Sequence, residues 1–175
     1  MAESNNRDFI PVGIAILTVS DTRTEKDDKS GQMLISRLQD TGHILRDKRI
    51  VPDNIYDIRA IISSWCIDNT IQAIITTGGT GITGRDGTPE AVAVLLDKEI
   101  TGFGETFRNI SYEQIGTSTI QSRAIAGVIN GTFIFCLPGS TNACITAWDK
   151  LISEQLDYRT RPCNLIELMP RLLEK

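Results

Sequence analysis

Three short stretches gather the residue types that handle anions: Ser20-Asp21-Thr22-Arg23, Gly78-Gly79-Thr80-Gly81 and Pro138-Gly139-Ser140-Thr141. Glycine frees backbone N–H groups to converge on a ligand, and a following helix adds its positive end, so such loops suit phosphate. Singly, each reads just as well as a turn between strand and helix. Three on one sheet edge suit a ligand with several phosphates. Two acids stand nearby. Asp86 lies between the glycine loop and the next helix signal, where a carboxylate can hold Mg²⁺ against phosphates, although a turn aspartate paired with Arg85 fits the spacing equally. Asp53 follows an apolar run and reads more simply as a turn residue.

Other chemistries fit less well. Gly79, Gly81 and Gly84 satisfy G-x-G-x-x-G, but Pro89 places the helix start several residues later, whereas a dinucleotide fingerprint opens its helix within the glycines. No G-x-x-x-x-G-K-[ST] loop is present. Cys136 and Cys144 flank the third loop, yet His43 is the only histidine, which makes a Cys nucleophile a poor candidate and rules out a His-rich metal site.

The loops need a scaffold, and the hydrophobic pattern predicts one. Residues 13–20 (GIAILTVS) are nearly all apolar, as a strand buried on both faces should be. Ser30 can cap a helix with Leu34, Ile35 and Leu38 on one face, ended by Gly42. Residues 44–51, apolar at the ends and charged between, suit an edge strand. Asn54 caps a helix carrying Ile55, Ile58, Ile62 and Trp65, and residues 72–77 form a buried strand running into the glycine loop. Thr88 as N-cap and Pro89 at the first position open another helix, and a further one spans 105–115. Asn130-Gly131 between two apolar runs marks a hairpin, because both turn residues need positive φ. A last helix carries Ile145, Trp148, Leu151, Ile152 and Leu156. The expected fold is α/β, three layers (α/β/α) around a mostly parallel sheet with one antiparallel hairpin. It forms a single domain over residues 1–175, with 1–9 a flexible segment. In such a sheet, ligands bind beyond the carboxyl ends of the strands.

Composition bounds the function. The 175 residues carry a net charge of −4, which argues against a partner such as duplex DNA or an anionic membrane. No apolar run approaches the ~20 residues of a membrane span, and the first ten residues lack a signal-peptide pattern, so a cytoplasmic protein with four free thiols is expected.

The motifs TVSDTR, TTGGTG, RDGTPEA, GFGE, QSRA and LPGS occur in this order, and together they resemble the molybdopterin-binding family over about residues 10–165. GTSTIQ before SRA, and the tail TRPCN, are similar to its MoaB branch. The resemblance implies a molybdopterin adenylyltransferase that moves AMP from MgATP to the terminal phosphate of molybdopterin and releases pyrophosphate. It implies that Asp53 and Asp86 serve catalysis and place Mg²⁺, and that Gly78, Gly79, Thr80 and Gly81 bind phosphate. Ser20, Asp21, Gly139 and Ser140 match pocket positions, and Glu105 and Ser122 fall within family motifs. Trimers, or hexamers in this branch, are implied too, along with other molybdenum cofactor biosynthesis proteins as partners. The apolar Phe103, Phe107, Tyr112 and Tyr158, outside clear periodic faces, fit such self-association. Two alternatives stay open, a non-catalytic molybdopterin-binding or carrier protein on the same scaffold and a mononucleotide-binding regulator.

Overall fold

The computed structural model describes residues 7–174. Six strands, β1 (Gly13–Val19), β2 (Ile44–Val51), β3 (Ala73–Thr77), β4 (Lys98–Glu99), β5 (Ile125–Ile129) and β6 (Thr132–Leu137), form one sheet in the order β2-β1-β3-β6-β5-β4. The first four in that order are parallel, β5 runs antiparallel to β6, and β4, antiparallel to β5, runs in the direction of the first four. The β5–β6 hairpin turns through Asn130 (φ 47°) and Gly131 (φ 79°), the positive pair that the sequence calls for.

Alternate residues of each central strand face opposite layers. Ile14 and Ile16 of β1, with Ile75 of β3 and Phe133 and Phe135 of β6, pack against α1 (Lys29–Asp40), α4 (Thr101–Ile115) and α5 (Thr141–Ala147). Ala15 and Leu17, with Ile74 and Ile134, pack against α2 (Ile55–Cys66) and α3 (Thr88–Ala93). Each fully buried Ile, Leu or Phe contributes about 1.5–3 kcal/mol, so the two faces supply most of the drive to fold. Among the described residues, no helix is long and apolar enough to cross a membrane.

Several helix starts differ from expectation. Asp28, not Ser30, caps α1, its carboxylate accepting from the Gly31 N–H at 3.0 Å. A carboxylate is the stronger acceptor at a helix N-terminus. Its burial is offset by the Thr18 hydroxyl at 2.8 Å and Lys48 Nζ at 3.1 Å. Thr88 is the first residue of α3 rather than its cap, because its hydroxyl donates to the Gly78 carbonyl at 2.9 Å. Helix α4 begins at Thr101, four residues early, despite two glycines. Phe103 and Phe107 explain this, since both are buried and Phe103 packs edge-on against Phe135 with centroids 5.3 Å apart. They belong to the core and offer nothing to a partner surface. Strand β4 and the 3₁₀ turn Gly116–Gln121 carry no clear periodic signal, whereas the last expected helix is present as α5 continued by a π-helical turn, Trp148–Ile152.

Of the expected flexible segment 1–9, residues 1–6 lie outside the described residues. Arg7 pairs with Glu167 and donates to the Tyr158 carbonyl, and Phe9 lies against His43 at 5.0 Å between centroids.

His43 is buried between Phe9 and Trp148, and its Nδ1 accepts from the Val12 N–H at 3.2 Å. Burial pushes its pKa down to about 4 from 6.5, with Asp157 opposing weakly. Between those values the unfolded chain binds a proton that the folded chain refuses, so stability rises with pH and is lost as pH falls from 6.5 towards 4. Roughly 2–3 kcal/mol is at stake. In urea melts at stepped pH, His43→Asn, which keeps an acceptor for Val12, should show a shallower loss over this window than wild type. Equal slopes would remove His43 as the cause.

Candidate functional site

Beyond the carboxyl ends of β3 and β6, a cavity of about 540 Å³ opens between the two glycine-bearing loops and the α4–α5 side of the molecule. Gly78, Gly79, Thr80 and Gly81 form one wall, Gly139 and Ser140 a second, and Asp86 stands at the lip. Ser140 occupies the N-cap of α5 without bonding the helix through its side chain, which leaves the hydroxyl available to a ligand.

The glycines are dictated by crowding. Gly78 (φ +102°) passes Val19 so closely that a Cβ would lie 2.2 Å from the Val19 carbonyl oxygen. Gly79 (φ +64°) would bring a Cβ within 2.3 Å of the Thr88 hydroxyl and 2.8 Å of Asp53 Oδ2. Gly84, by contrast, borders open space, as befits a G-x-G-x-x-G match that arose by chance.

The two acids sit on either side of this loop. Asp86 accepts from the Thr83 hydroxyl at 2.5 Å and the Thr83 N–H at 2.9 Å. Chiefly through the Thr83 hydroxyl, its carboxyl is held below the ordinary range. Asp53 is half-buried and lies behind the loop rather than on the cavity wall, where its Oδ1 accepts from the Gly87 N–H at 3.1 Å. Burial pushes its pKa up, and the charges of Asp86 and Asp21 add to the rise. The carboxylates therefore sense each other, and a cation between them and a phosphate would relieve the repulsion.

The first loop plays a different part. The Ser20 Oγ accepts from the N–H groups of Thr22 and Arg23, and Asp21 pairs with Arg85 at 2.6 Å while accepting from the Asp53 N–H. Neither lines the cavity; both shape the turn that holds Asp53. Glu105 is exposed on α4 and also stands off the wall. Ser122 does line it, with a buried Oγ that has no protein partner.

Sequence reasoning missed the opposite wall. Ser111 and Gln114 of α4, Ser118 and Gln121 of the 3₁₀ turn, and Asn142 and Thr146 of α5 give it an uncharged, hydrogen-bonding surface over Phe107. Thr146 Oγ1 donates to Gln114 Oε1 at 3.2 Å. Ser118 and Gln121 lie in the GTSTIQ motif, and Gln121 also opens QSRA, the two signals that pointed there. Arg23, the last residue of the first loop, braces the site rather than lining it. Beside buried Asp28, it donates to the Gly139 carbonyl at 2.8 Å and to Ser30 Oγ at 2.5 Å, tying the first loop to the third.

All four cysteines are free. Burial pushes Cys136 up to about 12 and Cys144 up to about 11, so neither thiol beside the third loop is a nucleophile at neutral pH.

Gly79→Ala should lower stability by about 1–2 kcal/mol or more, from positive φ alone, before the contact with Thr88 is counted. Gly84→Ala should stay within about 0.5 kcal/mol of wild type. Denaturant titration of both variants checks this, and equal effects would contradict it.

Residues 15–158 match the family model described as "Probable molybdopterin binding domain". Molybdenum cofactor biosynthesis protein B of Escherichia coli (strain K12) is 56% identical over 157 residues, 90% of this chain and 92% of that one. A crystal structure of a molybdenum cofactor biosynthesis protein B, 46% identical, has a TM-score of 0.83 over 86% of this chain and 94% of the other. The tungsten cofactor synthesizing protein MoaB from Pyrococcus furiosus, 39% identical, has a TM-score of 0.75 over 82% of this chain and 92% of its own. With a family model over most of its length and relatives at this identity, the chain belongs to the molybdopterin-binding domain family.

Proposed function

We propose that this chain acts in molybdenum cofactor biosynthesis by binding molybdopterin in the cavity and transferring AMP to its terminal phosphate from MgATP. The observation that carries this reading is the placement of Asp86, an acid held ionised at the lip of a cavity walled by glycine loops. An oxygen of the terminal phosphate attacks the α-phosphorus of ATP. The bond from that phosphorus to the bridging oxygen breaks, and pyrophosphate leaves with the electron pair. The attacking phosphate is already ionised at neutral pH, so no histidine base is required, and His43 is packed in the core. In-line positioning and charge neutralisation supply the catalysis.

Mg²⁺ commonly rests on one or two carboxylates plus substrate phosphates, and Asp53 and Asp86 are two such groups. Ser140, Ser122 and the 78–81 loop offer donors to the pterin phosphate, and the amide and hydroxyl wall offers partners to a heterocycle. Self-association as a trimer or hexamer belongs to the same reading. The exposed Ile82, Tyr112, Ile115 and Ile120 are apolar side chains available for it. A cytoplasmic setting and other cofactor-biosynthesis proteins as partners complete it.

One observation favours a second reading, a non-catalytic molybdopterin-binding protein: Asp53 stands off the wall of the cavity that Asp86 lines. The two readings part in one assay with purified protein, molybdopterin and MgATP. Wild type should form adenylylated pterin, and Asp86→Asn and Asp53→Asn should each lose about 10²–10³ in rate. Both should keep pterin binding and a nearly unchanged melting temperature, because the side-chain carbonyl left by Asp53→Asn can still accept from the Gly87 N–H. Pterin binding with no adenylylated product from wild type would select the carrier role.

A further inference from the structure

The glycine loop is held from behind by Arg123. Its Nε donates to the Gly81 carbonyl at 2.8 Å and the Thr80 carbonyl at 3.3 Å, its Nη2 donates to the Asp86 carbonyl at 3.0 Å, and its Nη1 pairs with Glu90. One guanidinium thus spans three carbonyls of the segment that carries the lip acid. Arg123 itself lies off the cavity wall, whereas Thr80, Gly81 and Asp86 are part of it.

Peptide planarity gives this clamp a consequence on the other side. In a trans peptide the N–H of the next residue points opposite the carbonyl. With the Asp86 carbonyl fixed on Arg123, the Gly87 N–H must point away from it, and that N–H is the one that donates to Asp53 Oδ1 at 3.1 Å. By the same geometry, the carbonyls of Thr80 and Gly81 turn towards Arg123 and send the N–H groups of Gly81 and Ile82 away from it. The arrangement of both acids and of the loop amides therefore passes through one side chain.

We propose that Arg123 is a positioning residue for AMP transfer: its planar fork fixes the carbonyls of Thr80, Gly81 and Asp86, and so sets the loop amides and the Asp53–Asp86 pair. Charge alone is not enough for this, because a lysine ammonium lacks the rigid fork that meets several carbonyls in a fixed geometry. The role in turnover rests on the function proposed above, whereas the ordering of the loop does not.

Two measurements on the full chain test this with Arg123→Lys and Arg123→Gln. In ligand-free protein, hydrogen exchange should quicken at residues 80–87 in both variants, while the β1 and β3 amides stay as protected as in wild type. In the AMP-transfer assay, kcat should fall on the order of 10²-fold, the size expected of misplaced groups, and the KM for molybdopterin should rise, because the loop amides that meet its phosphate are misplaced too. Unchanged exchange at 80–87, or wild-type kcat in Arg123→Lys, would overturn the proposal. So would loss of protection throughout the sheet in Arg123→Lys, which would make Arg123 a general stabiliser. If wild type transfers no AMP, the proposed function fails and with it the role in turnover, and the exchange data alone then decide whether Arg123 orders the loop.

Discussion

The ends of β1, β3 and β6 come so close together that no side chain fits between them. A Cβ on Gly78 would collide with the Val19 carbonyl, and a Cβ on Gly139 would stand 3.3 Å from the Gly78 Cα. This backbone contact brings all three loops to one spot. Side chains then lock it: Thr88 on the Gly78 carbonyl, Thr77 on the Pro138 carbonyl at 3.1 Å, and Arg23 on the Gly139 carbonyl. Each of these bonds takes a carbonyl that would otherwise repel an anion.

Charge buried beneath the loops supports the same geometry. Asp28 is fully buried, yet it has the Thr18 hydroxyl, the Gly31 N–H and Lys48 as partners, with Arg23 at 3.8 Å. Stripping one partner from such a group typically costs about 3–5 kcal/mol, which keeps the network intact as a unit. Arg23 thereby carries rigidity from the start of α1 to the loop after β6, and Arg123 does the equivalent for the loop after β3. The site is a thin layer of glycine backbone braced by two guanidinium groups that do not enter it.

Much of this was legible in the sequence, for local reasons. The apolar run of β1, the Asn130-Gly131 turn and the Asn54 cap each announce themselves within a few residues. Two of the three glycine-bearing or polar strand ends, joined by the rule that ligands bind at the carboxyl edge, line the cavity, while the first, residues 20–23, stands off its wall. What stayed hidden depends on distant partners. Ser30 looked like a cap until Asp28 proved to be stabilised by Lys48, which lies in another element. The α4 start was masked by Gly102 and Gly104, because the packing of Phe103 on Phe135 outweighs their poor helix propensity. Arg123 and the Gln114–Thr146 wall reach the site only through the tertiary fold, and Ser20 and Glu105 lie off the wall although they stand in motifs beside it.

A crystal structure of the chain with molybdopterin bound would test whether these loops are a phosphate site. The terminal phosphate should lie within about 2.7–3.2 Å of N–H groups from the 78–81 and 139–140 loops, with Asp86 at the open side and the heterocycle towards Gln114 and Thr146. A phosphate bound elsewhere on the molecule, with the glycine loops making no contact to the ligand, would contradict it.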